Sequence, residues 1–228
     1  MRTLTLALGL LLFLPLAAWA EEPTPLELSK VPQEGKSPQD FVPSGWKIEA
    51  TTRGDLDKNG SEDVVLELVE AKPAESADGT VTDRSRALLV LLSSEGGKLR
   101  RAGASNRALY CIGCQGMLGG GEGGVVKIDK GVIIIDQLSG SREMTHTTLR
   151  FRFDPQEKRF MLIGEDVAHT DRAVGSTESQ STNLLTGTKV TEKRQFDQKK
   201  NQDVLLSSKK QKVAASKRYL EDVDISAY

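Results

Sequence analysis

The stretch that decides the fold is Thr147-Thr148-Leu149-Arg150-Phe151-Arg152-Phe153 followed by Asp154-Pro155-Gln156-Glu157-Lys158. Its last five apolar and basic residues alternate strictly, which places Leu149, Phe151 and Phe153 on one face of a β-strand and Arg150 and Arg152 on the other. Pro155 then ends pairing, because proline withholds an amide hydrogen, and Arg159 onward resumes an apolar run. Upstream, Asp129-Lys130-Gly131 separates two β-branched runs as a short hairpin loop does. Two hairpins in series make a meander.

Working outward, the same signature of short apolar or alternating runs between Gly, Asp and Pro predicts strands at Trp46–Thr51, Asp63–Val69, Ala87–Ser93, Val125–Ile128, Val132–Leu138, Thr145–Phe153 and Arg159–Ile163. A sustained helical stripe is lacking, which argues against a parallel βαβ architecture. The expectation is a mainly β domain over 41–168, an antiparallel sheet or meander resembling a single propeller blade or a small β-sandwich. Before it, 21–40 is rich in Pro, Glu, Lys and Ser, and reads as a flexible leader or one extended over the domain surface.

After Ala168 apolar density falls. Residues 169–228 read as an edge hairpin turning at Thr186-Gly187 and then a polar, Lys-rich extension, in which Tyr219, Leu220, Val223 and Ile225 are candidates for docking on the domain. Between Lys189 and Arg218 ten basic residues face three acids, a local balance of +7. One reading is a site for an anionic polymer; the blander one, favoured here, is a solvated surface.

At the start, Arg2, an apolar run from Leu4 to Leu16 and the small residues of Ala18-Trp19-Ala20 form a secretory signal peptide over 1–20. The run is shorter than the ~20 residues of a spanning helix. The mature chain is therefore expected to be periplasmic or secreted, without a membrane span. The 228-residue chain has 31 Lys and Arg against 32 Asp and Glu. Losing Arg2 with the leader makes the net charge about −2, which does not suit nucleic-acid binding. The two cysteines, Cys111 and Cys114, are expected to form a disulfide in an oxidising compartment and to fix a local turn.

The most specific motif is Gly54-Asp55-Leu56-Asp57-Lys58-Asn59-Gly60-Ser61-Glu62-Asp63. It places oxygen-bearing side chains at positions 1, 3, 5 and 9 of a loop with Gly at position 6, the spacing of a calcium loop. The expected ligands are Asp55, Asp57, Asn59 and Asp63, with the carbonyl of Ser61, and the ion is expected to be structural calcium. Position 12 is Leu66, and Val64-Val65-Leu66-Glu67-Leu68-Val69 reads as a strand, so the loop is not an EF-hand. It resembles the Asp-x-Asp-x-Asn-Gly-x-x-Asp loops of the FG-GAP/VCBS class, the integrin-type repeats. Within that class it is similar to small exported bacterial proteins of unknown function with one such loop. The later strand Arg86–Leu91, the Cys111-Ile112-Gly113-Cys114 turn and Leu149–Phe153 add to the resemblance. A single loop and the lack of internal repeats exclude a complete multi-blade propeller.

Other chemistry is weakly signalled. Cys111-Ile112-Gly113-Cys114 has thioredoxin-type spacing without the helix that activates such a thiol. His146 and His169 stand on separate segments, too few for zinc. The glycines of 116–124 lack the Gly-Lys-Ser/Thr ending of a phosphate loop, and Ser139 to Glu143 reads as a turn. The reading is a non-enzymatic exported β domain with one structural calcium and a disulfide, serving as an envelope or surface interaction module. The alternative is an envelope thiol–disulfide oxidoreductase or a hydrolase of wall or polysaccharide material.

Overall fold

A computed structural model describes residues 24–76, 79–118 and 124–228; residues 1–20, read above as a signal peptide, lie outside them. The chain is mainly β and forms two antiparallel sheets. The first holds β1 (Glu34–Gly35), β2 (Trp46–Gly54), β3 (Asp63–Glu70), β4 (Arg86–Ser93) and β5 (Leu99–Ser105), in the order β1-β5-β4-β3-β2. The second is a meander in chain order: β6 (Val126–Asp129), β7 (Val132–Gly140), β8 (Glu143–Asp154), β9 (Arg159–Asp171), β10 (Ser176–Asn183), β11 (Thr188–Asp197) and β12 (Gln202–Lys212). Each strand expected from the sequence falls in one of these elements, save that Val125 stands one residue before β6.

The first sheet is the middle of the molecule. All eight residues of β3 are buried, because both of its faces are covered. By the two-residue period of a strand, Val65, Leu88, Val90 and Leu92 face the second sheet and pack with Ile133, Ile135, Leu149, Phe151 and Phe160. Val64, Leu66, Leu68, Leu89 and Leu91 face the other way. That second face is covered by the leader, whose Leu26, Val31 and Phe41 are 3%, 3% and 0% exposed. Arg101 Nη1 and Asn106 Nδ2 donate to the carbonyls of Leu28 and Leu26, both at 2.8 Å, and hold the segment down. Of the two readings of the leader, the one that runs over the domain surface is therefore the one observed. From Thr24 onward it is no flexible spacer, since burying side chains of this size is worth ~1.5–3 kcal/mol each.

The far end corrects the sequence reading more strongly. β9 continues past Ala168 to Asp171, β10 and β11 supply the hairpin expected at the sheet edge, and the chain beyond Phe196, expected to be a Lys-rich tail, forms the strand β12; the three extend the second sheet as a single layer. The turn at Thr186-Gly187 falls where expected. The physical reason for the misreading is that both faces of this extension meet solvent, so it needs no apolar alternation. Short polar contacts hold it instead, such as Lys193 to Glu178 at 3.1 Å and Thr170 to Thr177 at 3.0 Å. Tyr219, Leu220, Val223 and Ile225 then return to the core, none more than 8% exposed. Leu162 donates its amide to the Arg218 carbonyl at 2.8 Å to dock them.

Candidate functional site

The β2–β3 connection begins after Gly54 and ends where Asp63 pairs back across to Gly54. Two backbone positions bend it: Lys58 with φ of 64° and Gly60 with φ of 86°. Gly60 has open space where a Cβ would stand, so the turn needs glycine for its dihedral and not for room. Leu56, the one apolar side chain in the loop, is 2% exposed and joins the core between the sheets, which anchors an otherwise polar segment.

Around that anchor the side-chain oxygens turn inward. Asp55 accepts the amides of Asn59 at 3.1 Å and Gly60 at 3.0 Å through its two oxygens. Asp57 accepts the Asn59 amide at 3.2 Å and the Asn59 side-chain amide at 3.2 Å. Asn59 Oδ1 accepts the Ser61 amide at 2.7 Å. Asp63 is fully buried; its oxygens accept the amides of Leu56 and Ser93, each at 2.8 Å. Ser93, at the end of β4, also donates its hydroxyl to the Glu62 carbonyl. Burial pushes the Asp63 carboxyl above its ordinary range, and the charge of Asp57 adds to that, against the pull of the Ser93 and Leu56 amides.

The fold thus brings together Asp55, Asp57 and Asp63, one carboxylate oxygen of each lying within 4.8 Å of the others, and ties Asn59 to Asp57. Ser61 is placed by its amide, with its side chain exposed. The residues fit a hard divalent cation. Three carboxylates supply anionic oxygens, and each oxygen that accepts one amide keeps a further lone pair for a metal. Ser93 is the participant that sequence reasoning missed: it lies thirty residues downstream of Asp63 and nothing in the loop points to it. Leu56, a lone apolar residue in a polar loop, was the signal for the anchor.

The loop stands where the two sheets meet. A Cβ on Gly54 would come within 2.8 Å of Ile128 Cγ2 on β6, and Thr52 donates its hydroxyl to the Val126 carbonyl at 3.1 Å. Beside it opens a cavity of about 390 Å³ lined in part by Leu56, Asp57, Lys58, Arg152, Phe153 and Met161.

The other candidates separate in space. Cys111 and Cys114 stand at disulfide distance, their Cα atoms 5.3 Å apart, with the Gln115 side chain donating to the Cys111 carbonyl at 3.2 Å. A 3-10 turn comes next at Gly116–Leu118 and not an α-helix. Residues 119–123 of the Gly-rich run lie outside the described residues. His146 bonds Asp136 at 2.8 Å and His169 bonds Thr145 at 3.0 Å. Thr145 pairs with His169 across β8 and β9, so His146, one residue along, points to the opposite face. The two histidines share no site.

Fold and loop together define a two-sheet antiparallel β protein with an acidic, cation-suited loop at the junction of its sheets. In comparisons with known proteins no family model, no curated protein and no solved structure matches the chain. The functional reading therefore rests on the residues themselves.

Proposed function

We propose that this chain is an exported, non-enzymatic β protein whose β2–β3 loop holds one structural Ca²⁺, and that it serves as a binding or interaction module in the cell envelope or outside the cell. The observation that carries the reading is the convergence of Asp55, Asp57 and Asp63 within 4.8 Å. Asp55, Asp57 and Asp63, with Asn59 and the Ser61 carbonyl, are the ligands of this proposal. Like charges this close repel, and a divalent ion offsets that repulsion while tying β2 to β3. The resemblance to FG-GAP/VCBS loops belongs to the same reading. Export is supported by the signal-peptide pattern of 1–20 and by a cysteine pair at disulfide distance.

The test is calorimetric titration of the purified mature protein with Ca²⁺, with thermal unfolding in chelator and in millimolar Ca²⁺. Binding at a hundredfold excess over Kd adds ~2.7 kcal/mol to stability, and Asp57→Ala is expected to abolish both the heat and the shift. Absence of both in the wild-type protein overturns the proposal.

A further inference from the structure

The second sheet ends on a long strand whose outer side nothing covers among the described residues. β12 runs over eleven residues, Gln202–Lys212, and is the last strand in its sheet. Of the other edge strands, β2 has nine residues, Trp46–Gly54, and meets β6 at its end. β6 has four residues and lies against β2 through Thr52 and Gly54, and β1 has two.

The direction of the open hydrogen bonds can be read from the ladder. Val213 donates its amide to the Gly187 carbonyl at 3.0 Å, toward β11. Antiparallel bonding alternates along a strand, so the amides of Gln211, Lys209 and Ser207 also face β11, and those of Ser208, Lys210 and Lys212 face outward. A β-bulge opposite Lys193 and Arg194 leaves Leu206 unmatched and turns the strand there.

Side chains grade along this edge. Its first half carries Val204, Leu205 and Leu206, the last two 46% and 64% exposed. Phe196 joins Val204 and Leu206 around an open hollow of about 530 Å³. The second half carries Lys209, Lys210 and Lys212 against a single acid, Asp203, earlier in the strand. Lys209 points to one face and Lys210 and Lys212 to the other, so charge stands on both sides of an incoming strand.

We propose that β12 receives an extended acidic segment of a partner protein as an eighth, antiparallel strand of the second sheet. Main-chain bonds to the outward amides hold it. Its acidic first half lies along Lys209–Lys212, and its apolar second half lies along Val204–Leu206. Charge complementarity selects this occupant over a second copy of the chain. A second copy in antiparallel register would lay two of its three lysines over Val204–Leu206 with one Asp203 to answer them, and in parallel register lysine would stack on lysine. Edge lysines of this kind deter like strands, and the same lysines recruit an acidic one. This inference does not depend on the calcium reading.

The probe is a labelled synthetic peptide of about twelve residues, with glutamates alternating with valine in its first half and leucine and valine in its second. Fluorescence anisotropy reports its binding to the full mature protein at low and moderate salt. The peptide is expected to bind, and its lysine-for-glutamate version is not. The double variant Lys209→Glu/Lys210→Glu is expected to weaken binding about tenfold or more. Ser208→Pro removes one outward amide while keeping every charge and the main-chain bonds to β11, losing only the 3.4 Å bond of the Ser208 hydroxyl to Glu192, and is expected to weaken binding similarly. Amide exchange measured by NMR gives a readout that needs no variant: bound peptide slows exchange at Ser208, Lys210 and Lys212, with little change at Ser207, Lys209 and Gln211. Lack of peptide binding, or binding with unchanged outward amides, overturns the proposal. So does tighter retention of heparin or of phosphatidylglycerol vesicles that depends on the lysines and is indifferent to Ser208→Pro, which would make the edge a surface for anionic polymer or lipid. A dimer in sedimentation that Ser208→Pro dissociates would assign the edge to a second copy instead.

Discussion

Arg86 Nη2 and Glu67 Oε2 form an ion pair at 2.9 Å with both side chains 1% exposed, inside the layer between the two sheets. The pair is fully furnished with partners. Arg86 Nε reaches Glu49 at 2.6 Å, and the Glu67 carboxylate accepts the amides of Val125 at 3.0 Å and Val126 at 3.1 Å. One side chain of the first sheet therefore receives the chain as it leaves the Gly-rich segment and enters β6. Removing one member of a buried pair strands the other, so Glu67→Ala is expected to cost ~3–5 kcal/mol in urea unfolding. Glu67→Gln, which keeps an acceptor oxygen, is expected to cost clearly less. Equal losses below ~1 kcal/mol in both would mean the pair is not closed from solvent.

Phe41 provides a test of the leader. It is fully buried against the outer face of the first sheet, beside Leu26 and Val31. Phe41→Ala is expected to destabilise the protein by ~3–5 kcal/mol, the usual loss for emptying an aromatic core site. A leader that only spaced the domain from an anchor would tolerate the change, and unfolding curves that superimpose on wild type would show it.

Much of this architecture is legible in the sequence where one face of a strand is wet and the other dry. Leu149-Arg150-Phe151-Arg152-Phe153 is read correctly for that reason, as is the hairpin at Asp129-Lys130-Gly131. The signal fails in three settings. β5 carries Arg100 and Arg101 among small residues, with no branched run to mark it. β10–β12 have water on both faces, so their composition is that of a loop although their bonding is that of a sheet. The leader contributes Leu26, Val31 and Phe41 at irregular spacing, because an extended segment crossing a sheet buries side chains where the surface has room and not at a fixed period. At the candidate site the carboxylates are visible locally, whereas Ser93 enters only through the pairing of β3 with β4.

Asp136 gives the pH dependence a sign. Burial, the largest single influence, would raise its carboxyl, but hydrogen bonds from His146 and Thr148, aided by the charges of His146 and Lys127, outweigh it and hold the group below the ordinary value of 3.8. A group depressed in the folded state stabilises the fold above the unfolded value, and that contribution is lost as pH falls through the folded one. Unfolding temperature is therefore expected to drop on acidification below about pH 4 more steeply in wild type than in Asp136→Asn. Parallel acid limbs for the two proteins would remove Asp136 from the account.

Asp57 and Asp63 are both candidate calcium ligands, yet their surroundings give them different work in the absence of metal. Asp63 closes the loop by itself: its two oxygens hold the Leu56 and Ser93 amides at 2.8 Å inside the protein. Asp57 is only part-exposed scaffolding, bonded within the loop to Asn59. In chelator, Asp63→Ala is therefore expected to lose ~2–4 kcal/mol, the scale of two charge-assisted bonds left unmade. Asp57→Ala is expected to be neutral or slightly stabilising there, because it relieves repulsion toward Asp55 and Asp63. In millimolar Ca²⁺ the order of effects changes: wild type gains stability and neither variant does, so Asp57→Ala falls behind wild type only when the ion is present. Urea unfolding of the three proteins in both conditions separates a loop-closing carboxylate from one that serves the metal. A calcium response retained in Asp57→Ala would remove that residue from the ligand set, and an Asp63→Ala protein as stable as wild type in chelator would show that the β3–β4 staple contributes nothing.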